Sequence, residues 1–168
     1  MNAKLKPANV NFREMQASDL DAVMQIESVN FPFPWTAGNF KDSINSGHIC
    51  LVLEMTSRII GYAVLMIVLD EAHLLNISVT PSQKGQGLGR HLLEHLMQIS
   101  REKGGLNMFL EVRPSNVSAI TLYESIGFNE MGVRPGYYPA NNGREKLQKF
   151  ACRMAQQFLL QPPESLNL

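Results

Sequence analysis

The hydrophobic positions change period several times along the chain, and each change predicts an element. Val10 and Phe12 alternate with polar neighbours up to Met15 and predict a short edge strand. Leu20, Val23, Met24 and Ile26, with Glu27, recur on a helical period. Ser18-Asp19-Leu20-Asp21, a small polar residue with an acid three positions on, predicts where that helix starts. Phe31-Pro32-Phe33-Pro34-Trp35-Thr36 ends it, because two prolines forbid regular structure. Thr36 then predicts the cap of a second short helix running to Ser46, with Phe40 and Ile44 inside.

From Ile49 the pattern turns strand-like. Runs 50–53, 59–69 and 72–79 read as three successive strands joined by the short polar links Thr56-Ser57-Arg58 and Asp70-Glu71, so neighbours are expected to be antiparallel hairpins. Leu88, Leu92, Leu93, Leu96 and Ile99 form the apolar face of a helix to about Lys103, which Gly104-Gly105 stops. Run 108–112 predicts a strand that makes a right-handed crossover with the strand before that helix. Ser115 is the expected cap of a further helix carrying Ala119, Ile120, Leu122 and Tyr123 and ending at Gly127. Phe128 to Val133 predicts one more strand, and residues 134–139 a loop. In the segment 146–154, Leu147, Phe150, Ala151 and Met154 fall on a helical period, so helix and an altered strand both remain open. The expected architecture is α+β, a mixed and mostly antiparallel sheet flanked by helices. Residues 1–160 are expected to form a single domain behind a loose leader at 1–8, and residues 161–168 a disordered tail.

The stretch Lys84-Gly85-Gln86-Gly87-Leu88-Gly89-Arg90 sits between a strand and a helix. Its three glycines let the backbone turn tightly and approach a ligand, and the helix start offers free N–H groups to an anion. It therefore predicts a phosphate cradle. A Walker loop would need Lys-Ser/Thr after its last glycine, and Arg90-His91 stand there instead. A dinucleotide fingerprint would need its third glycine at Arg90, although Glu111 lies roughly 20 residues on, where such folds place a ribose-binding acid. The antiparallel hairpins count against that reading, since a dinucleotide fold is built of parallel βαβ units. A pyrophosphate loop of the kind used for coenzyme A remains.

Composition narrows the class. The 168 residues carry 15 Lys plus Arg and 15 Asp plus Glu, so no basic excess points to a nucleic-acid partner. The two cysteines, Cys50 and Cys152, have no metal or CxxC spacing and read as reduced thiols. No apolar run reaches membrane-spanning length and no secretory signal opens the chain, so a soluble cytoplasmic protein is expected. His91 and His95 are four apart on a helix, but two ligands make no metal site, and a solvated helix face is the simpler reading.

Two polar groups stand out. Glu111 interrupts an apolar strand end, and Tyr123 follows Asn116 by two helical turns on the same face. Near a phosphate cradle a carboxylate and a phenol suit proton transfer. Each also has a plainer reading: Glu111 as a strand-end salt bridge to Arg113, Tyr123 as an amphipathic core residue. Trp35 and Phe31 likewise read either as a cap on the core or as one wall of a substrate groove.

Four runs carry a resemblance: Leu75-Asn76-Ile77-Ser78-Val79, the glycine loop to Arg90, Leu110-Glu111-Val112-Arg113-Pro114-Ser115-Asn116, and Leu122-Tyr123-Glu124-Ser125-Ile126-Gly127-Phe128. Together they resemble the GNAT acetyltransferase superfamily. With Phe33-Pro34-Trp35-Thr36, Asn129-Glu130, Tyr137-Tyr138-Pro139 and Asn142-Gly143-Arg144-Glu145, the chain is similar over roughly residues 11–145 to a branch that acetylates the N-terminal alanine of a small-subunit ribosomal protein. The resemblance implies acetyl-CoA as co-substrate, no metal, and direct attack without an acyl-enzyme. It implies that Ile77, Ser78 and Val79 pair through their backbone with the pantetheine arm and acetyl carbonyl. Gly85, Gln86, Gly87, Leu88, Gly89 and Arg90 would hold the pyrophosphate, and Asn116 the coenzyme arm. Glu111 would be general base and Tyr123 general acid, with Trp35, Tyr137 and Tyr138 flanking the peptide.

The sequence departs from that pattern in three places. Lys84 stands where the family has Gln or Arg, Gly85 where this branch often has a basic residue, and segment 146–154 replaces the usual apolar closing strand. Two further functions therefore stay open: a GNAT enzyme for other N-termini, lysines or a small amine, and a non-catalytic acetyl-CoA-binding module whose groove is blocked. The oligomeric state is not legible in the sequence.

Overall fold

Two-residue turns set the first half of the sheet. Strands β2 (Ile49–Met55), β3 (Arg58–Val68) and β4 (Glu71–Val79) run antiparallel. Thr56 and Ser57 both take positive φ (48° and 63°), which matches the twist of the strands they join, and Leu69 (56°) does the same at the next turn. The computed structural model describes residues 9–140 and 143–154, and for 136–145 only the backbone. The expected leader at 1–8 and the tail at 161–168 lie outside the described residues. The other elements are β1 (Val10–Glu14), α1 (Leu20–Asn30), α2 (Ala37–Asn45), α3 (Leu88–Glu102), β5 (Asn107–Val112), α4 (Val117–Ile126), β6 (Asn129–Ala140) and β7 (Gly143–Arg153).

The seven strands form one sheet in the order β1-β2-β3-β4-β5-β7-β6. Among the described strands only β4 and β5 pair in parallel, joined by the α3 crossover. Alternation along the strands divides the core between two faces. Leu51, Ala63, Leu65, Leu74, Met108, Leu110, Phe150 and Cys152 meet Leu92, Leu93 and Leu96 of α3 and Tyr123 of α4. Cys50, Val52, Tyr62 and Val64 meet Leu20, Val23 and Ile26 of α1 and Phe40 of α2. Leu92, Leu93 and Leu96 are fully buried, each contributing about 1.5–3 kcal/mol over an exposed position.

Three expectations need correction, and the alternative left open at 146–154 resolves to strand. Helix α1 is preceded by a 3-10 turn (Ala17–Asp19), and the capping box is Gln16 with Asp19, not Ser18 with Asp21. Asp19 accepts from the Gln16 N–H at 2.8 Å, and from Arg13 at 2.7 and 2.9 Å. Asn116, not Ser115, caps α4, accepting from the Ala119 N–H at 3.3 Å. The expected loop at 134–139 belongs to β6, an edge strand, and Pro135, which lacks an N–H, falls in the register break between Arg134 and Tyr138. Segment 146–154 is strand: Phe150, Cys152 and Met154 alternate toward α3, while Leu147 is buried on the opposite face. The apparent helical spacing of Leu147 and Phe150 comes from one residue on each face.

Candidate active site

The parallel pairing of β4 and β5 is short. It runs from Glu71↔Asn107 to Leu74↔Leu110 and stops. A bulge follows at once: Leu65 pairs with Leu74 but Val64 with Asn76, so Leu75 is the extra residue and bends β4 away. Beyond it β4 stays bonded to β3 on one side, β5 to β7 on the other, and a gap opens between them.

The register fixes which backbone groups face that gap. The Thr80 N–H donates to the Ile60 carbonyl at 2.7 Å, so pairs 62↔78 and 64↔76 are the hydrogen-bonded ones. Ser78 thus gives its backbone groups to Tyr62. Ile77 and Val79 turn theirs away from β3, toward the gap. One lone pair of the Val79 carbonyl is taken by Asn30 Nδ2 at 2.8 Å.

The glycine loop lies just past the end of β4. Gly85 and Gly87 have φ of 79° and 78°, left-handed values that explain glycine there, and nothing lies within 4 Å of where a Cβ would sit. Gly87 is the N-cap of α3, and the first intrahelical bond is His91 N–H to the Gly87 carbonyl at 3.0 Å. The amides of Leu88, Gly89 and Arg90 precede it and point out of the helix end, where the dipole favours an anion. Leu88 anchors the turn by packing with Val79, Gln86 is exposed, and Arg90 bonds Ser125 across to α4. This cradle and the Ile77 and Val79 edge fit an extended ligand with a pyrophosphate end.

Glu111 and Tyr123 lie on opposite faces of the sheet. Met108, Leu110 and Val112 point into the α3/α4 core, so Glu111 points to the other face. Its side chain is 47% exposed and lies 3.8 Å from Lys149 of β7, an ion pair across the β5/β7 ladder. Tyr123 is buried among the α3/α4 core residues, 5.7 Å ring to ring from Phe128. Asn116 points its Oδ1 into the α4 cap.

The proline-aromatic segment reaches the same place. The Arg113 guanidinium lies 5.2 Å over the Phe33 ring, which ties residues 31–36 to the end of β5. Trp35 packs against Phe40 at 5.1 Å and is partly buried, so it both caps the core and borders the surface. The backbone of Tyr137 and Tyr138 runs in β6, and their side chains lie outside what the structure describes.

One group escaped the sequence reading. Glu27 of α1 is 2% exposed, and its carboxylate accepts from the Trp35 N–H at 2.8 Å, Asn76 Nδ2 at 3.1 Å and the Tyr62 hydroxyl. Burial first, then the Glu27 bond and charge, push the Tyr62 hydroxyl well above its ordinary range, with a Ser78 hydrogen bond working the other way. Positions 20, 23 and 27 share the apolar stripe of α1, so a carboxylate on that stripe was the available signal.

The remaining reactive side chains are elsewhere. Burial pushes the Cys50 thiol up to about 11 and raises Cys152 as well, so neither offers a ready thiolate. His95 stacks on Phe12 at 4.0 Å, with His91 at 4.9 Å from the same ring. Among the described residues no group of three or more His, Cys, Asp or Glu is placed to hold a metal ion. None of the described helices is long and apolar enough to cross a membrane.

A mixed sheet split between its two parallel strands, with a glycine cradle at the end of the split, defines an acyl-transferase architecture. Residues 20–128 match the model of the acetyltransferase (GNAT) family. The chain belongs to that family and is an acetyl-CoA-dependent N-acetyltransferase. It is 42% identical over 131 residues to the [ribosomal protein bS18]-alanine N-acetyltransferase of Escherichia coli (strain K12), covering 78% of this chain and 88% of the relative. The enzyme of the same name from Haemophilus influenzae is 41% identical over 140 residues, 83% of this chain and 95% of the relative. Among solved structures, the ribosomal-protein-S18-alanine N-acetyltransferase from Escherichia coli superposes with a TM-score of 0.82 at 36% identity, covering 95% of this chain and 99% of that one. Ard1 from Thermoplasma volcanium shares the fold at TM-score 0.81 and 22% identity, covering 88% and 99%.

Proposed function

We propose that this enzyme acetylates the N-terminal alanine of ribosomal protein bS18. The observation that carries the chemistry is the β4/β5 gap, with backbone groups of Ile77 and Val79 on one edge, the amides of the glycine loop at its end and a carboxylate, Glu111, at its rim. The choice of acceptor rests on the bS18-alanine enzymes that match most of both chains. A ribosomal acceptor places the reaction in the cytoplasm.

Acetyl-CoA supplies an activated acetyl thioester. The amides from Gly85 to Arg90 hold its pyrophosphate, Ile77 and Val79 align its arm as an added strand edge, and Asn116 borders it with the amide nitrogen that the α4 cap leaves free. Ser78 contributes by holding β4 in register through Tyr62 and Asn30. An α-amine has a pKa of about 8, so an appreciable fraction is neutral near pH 7, whereas a lysine amine near 10.4 is a harder acceptor. Glu111 takes the amine's proton through water, and its exposure gives it access to that water. Tyr123 gives a proton to the departing sulfur. Trp35, Tyr137 and Tyr138 flank the peptide. Residues 1–160 act as one domain in this reading.

The test is transfer to a peptide copying the bS18 N-terminus, beside the same peptide with its α-amine blocked, read by mass spectrometry. Gain of one acetyl on the free peptide alone is expected, and gain on both would point to lysine instead. Glu111→Gln and Tyr123→Phe should each lower kcat by about 100-fold or more while acetyl-CoA binding persists. Full activity in either variant would remove that residue from catalysis.

A further inference from the structure

Glu27 is a buried carboxylate that the proposed mechanism does not use. Among the described residues no cation lies within 4.0 Å of it, and its three partners are neutral donors. A buried charge held by neutral donors is costly unless each bond is made. What those donors belong to is informative. Trp35 is the groove loop, and its bond to Oε1 is made by the backbone, so it fixes the course of the chain between Pro34 and Thr36. Asn76 follows the bulge residue Leu75 and precedes Ile77, whose backbone faces the gap. Tyr62 ties both to the centre of β3. One carboxylate thus joins the loop on the acceptor side to the strand on the coenzyme side.

We propose that Glu27 is a positioning residue that holds the Trp35 loop at a fixed distance from the kinked strand β4, and so sets the seat of the acceptor N-terminus against the acetyl donor. This rests on the N-terminal acetyltransferase reading. Misplacing a reactant by about an ångström is enough to cost a large factor in rate, so a strut of this kind acts on the acceptor without touching it.

Glu27→Gln is isosteric and tests it in the full chain. Its amide keeps one acceptor oxygen for three donors. The orientation that satisfies most of them turns that oxygen to Tyr62 and Asn76 and sets an NH2 against the Trp35 N–H. In the free variant the Trp35 amide should exchange with deuterium about tenfold or more faster than in wild type, and the KM for the bS18 peptide should rise about tenfold. The kcat for the peptide should fall about tenfold as the acceptor is misplaced, while the Kd for acetyl-CoA stays within about twofold. Tyr62→Phe removes a different donor and leaves the Trp35 bond in place, so it should lower stability without moving the peptide KM.

A Trp35 amide as protected in Glu27→Gln as in wild type would overturn the proposal. So would faster exchange with an unchanged peptide KM, or an equal rise in Tyr62→Phe, which would mark general loosening. Failure of the wild type to acetylate the peptide would instead overturn the proposed acceptor, and the strut then stands or falls on the Trp35 exchange rate.

Discussion

Glu111 and Glu27 share a side chain and differ in everything that decides its use. Glu111 is half exposed beside a lysine at 3.8 Å, an arrangement worth little to stability, so its presence on an otherwise apolar strand is not explained by folding. Glu27 is sealed and fully bonded, and belongs to the scaffold. The glycines of the cradle divide in the same way. Gly87 has a left-handed φ of 78°, so Gly87→Ala should cost about 1–2 kcal/mol of stability from backbone strain alone. Gly89 lies in the first turn of α3, and a Cβ there would rest 3.5 Å from Leu122 Cδ2, an ordinary contact. Gly89→Ala should therefore leave the urea midpoint unchanged or raise it. If Gly89→Ala nonetheless weakens acetyl-CoA binding by calorimetry, the third glycine serves the ligand; retained affinity would assign it to neither role.

At the scale of elements, Arg13 of β1 joins three of them. It pairs with Asp19 before α1 at 2.7 Å and with Glu54 of β2 at 2.8 Å. The Arg13 hydrogen bond holds the Asp19 carboxyl below its ordinary 3.8, against the opposing effect of burial. The folded protein therefore binds that proton less readily than the unfolded chain. The contribution is complete above about pH 3.8 and is lost as the pH falls through the lower folded value. His95 adds an earlier loss: burial first, then the charge of His91, lower its pKa from 6.5, so the unfolded chain protonates first and stability declines as pH drops below 6.5. Arg13→Met should cost about 1–2 kcal/mol near neutral pH, the lower part of the range because Arg13 is a third exposed. That cost should shrink below pH 3.8, and a cost independent of pH would show that the side chain acts through packing. None of this pairing was legible in the sequence, since Arg13 and Glu54 are brought together by strand register. The elements themselves were legible wherever one face is apolar, as in α2 from Thr36 and α3 from Leu88. They were not at β7, where Leu147 is buried on the face opposite Phe150 and the alternation is broken between them.

For the whole molecule, the site was legible as a set of motifs but not as a shape. Gly85, Gly87 and Glu111 stand out locally in the sequence as candidates. The gap that unites them depends on one extra residue, Leu75, whose effect exists only relative to the partner strand β3. The same register makes a prediction that no single residue carries. In the free enzyme the amides of Asn76 and Ser78 bond to β3, while those of Ile77 and Val79 face the gap. Amide exchange should therefore alternate along β4 beyond the bulge, slow at Asn76 and Ser78 and faster at Ile77 and Val79, although all four lie mid-sheet. Acetyl-CoA bound along that edge supplies the missing partners, so Ile77 and Val79 should become protected while Asn76 and Ser78 change little. Residue-resolved exchange with and without acetyl-CoA checks both halves. Uniform protection along β4 in the free enzyme would mean that the split is closed in solution. Alternation that acetyl-CoA leaves untouched would place the coenzyme somewhere other than the strand edge.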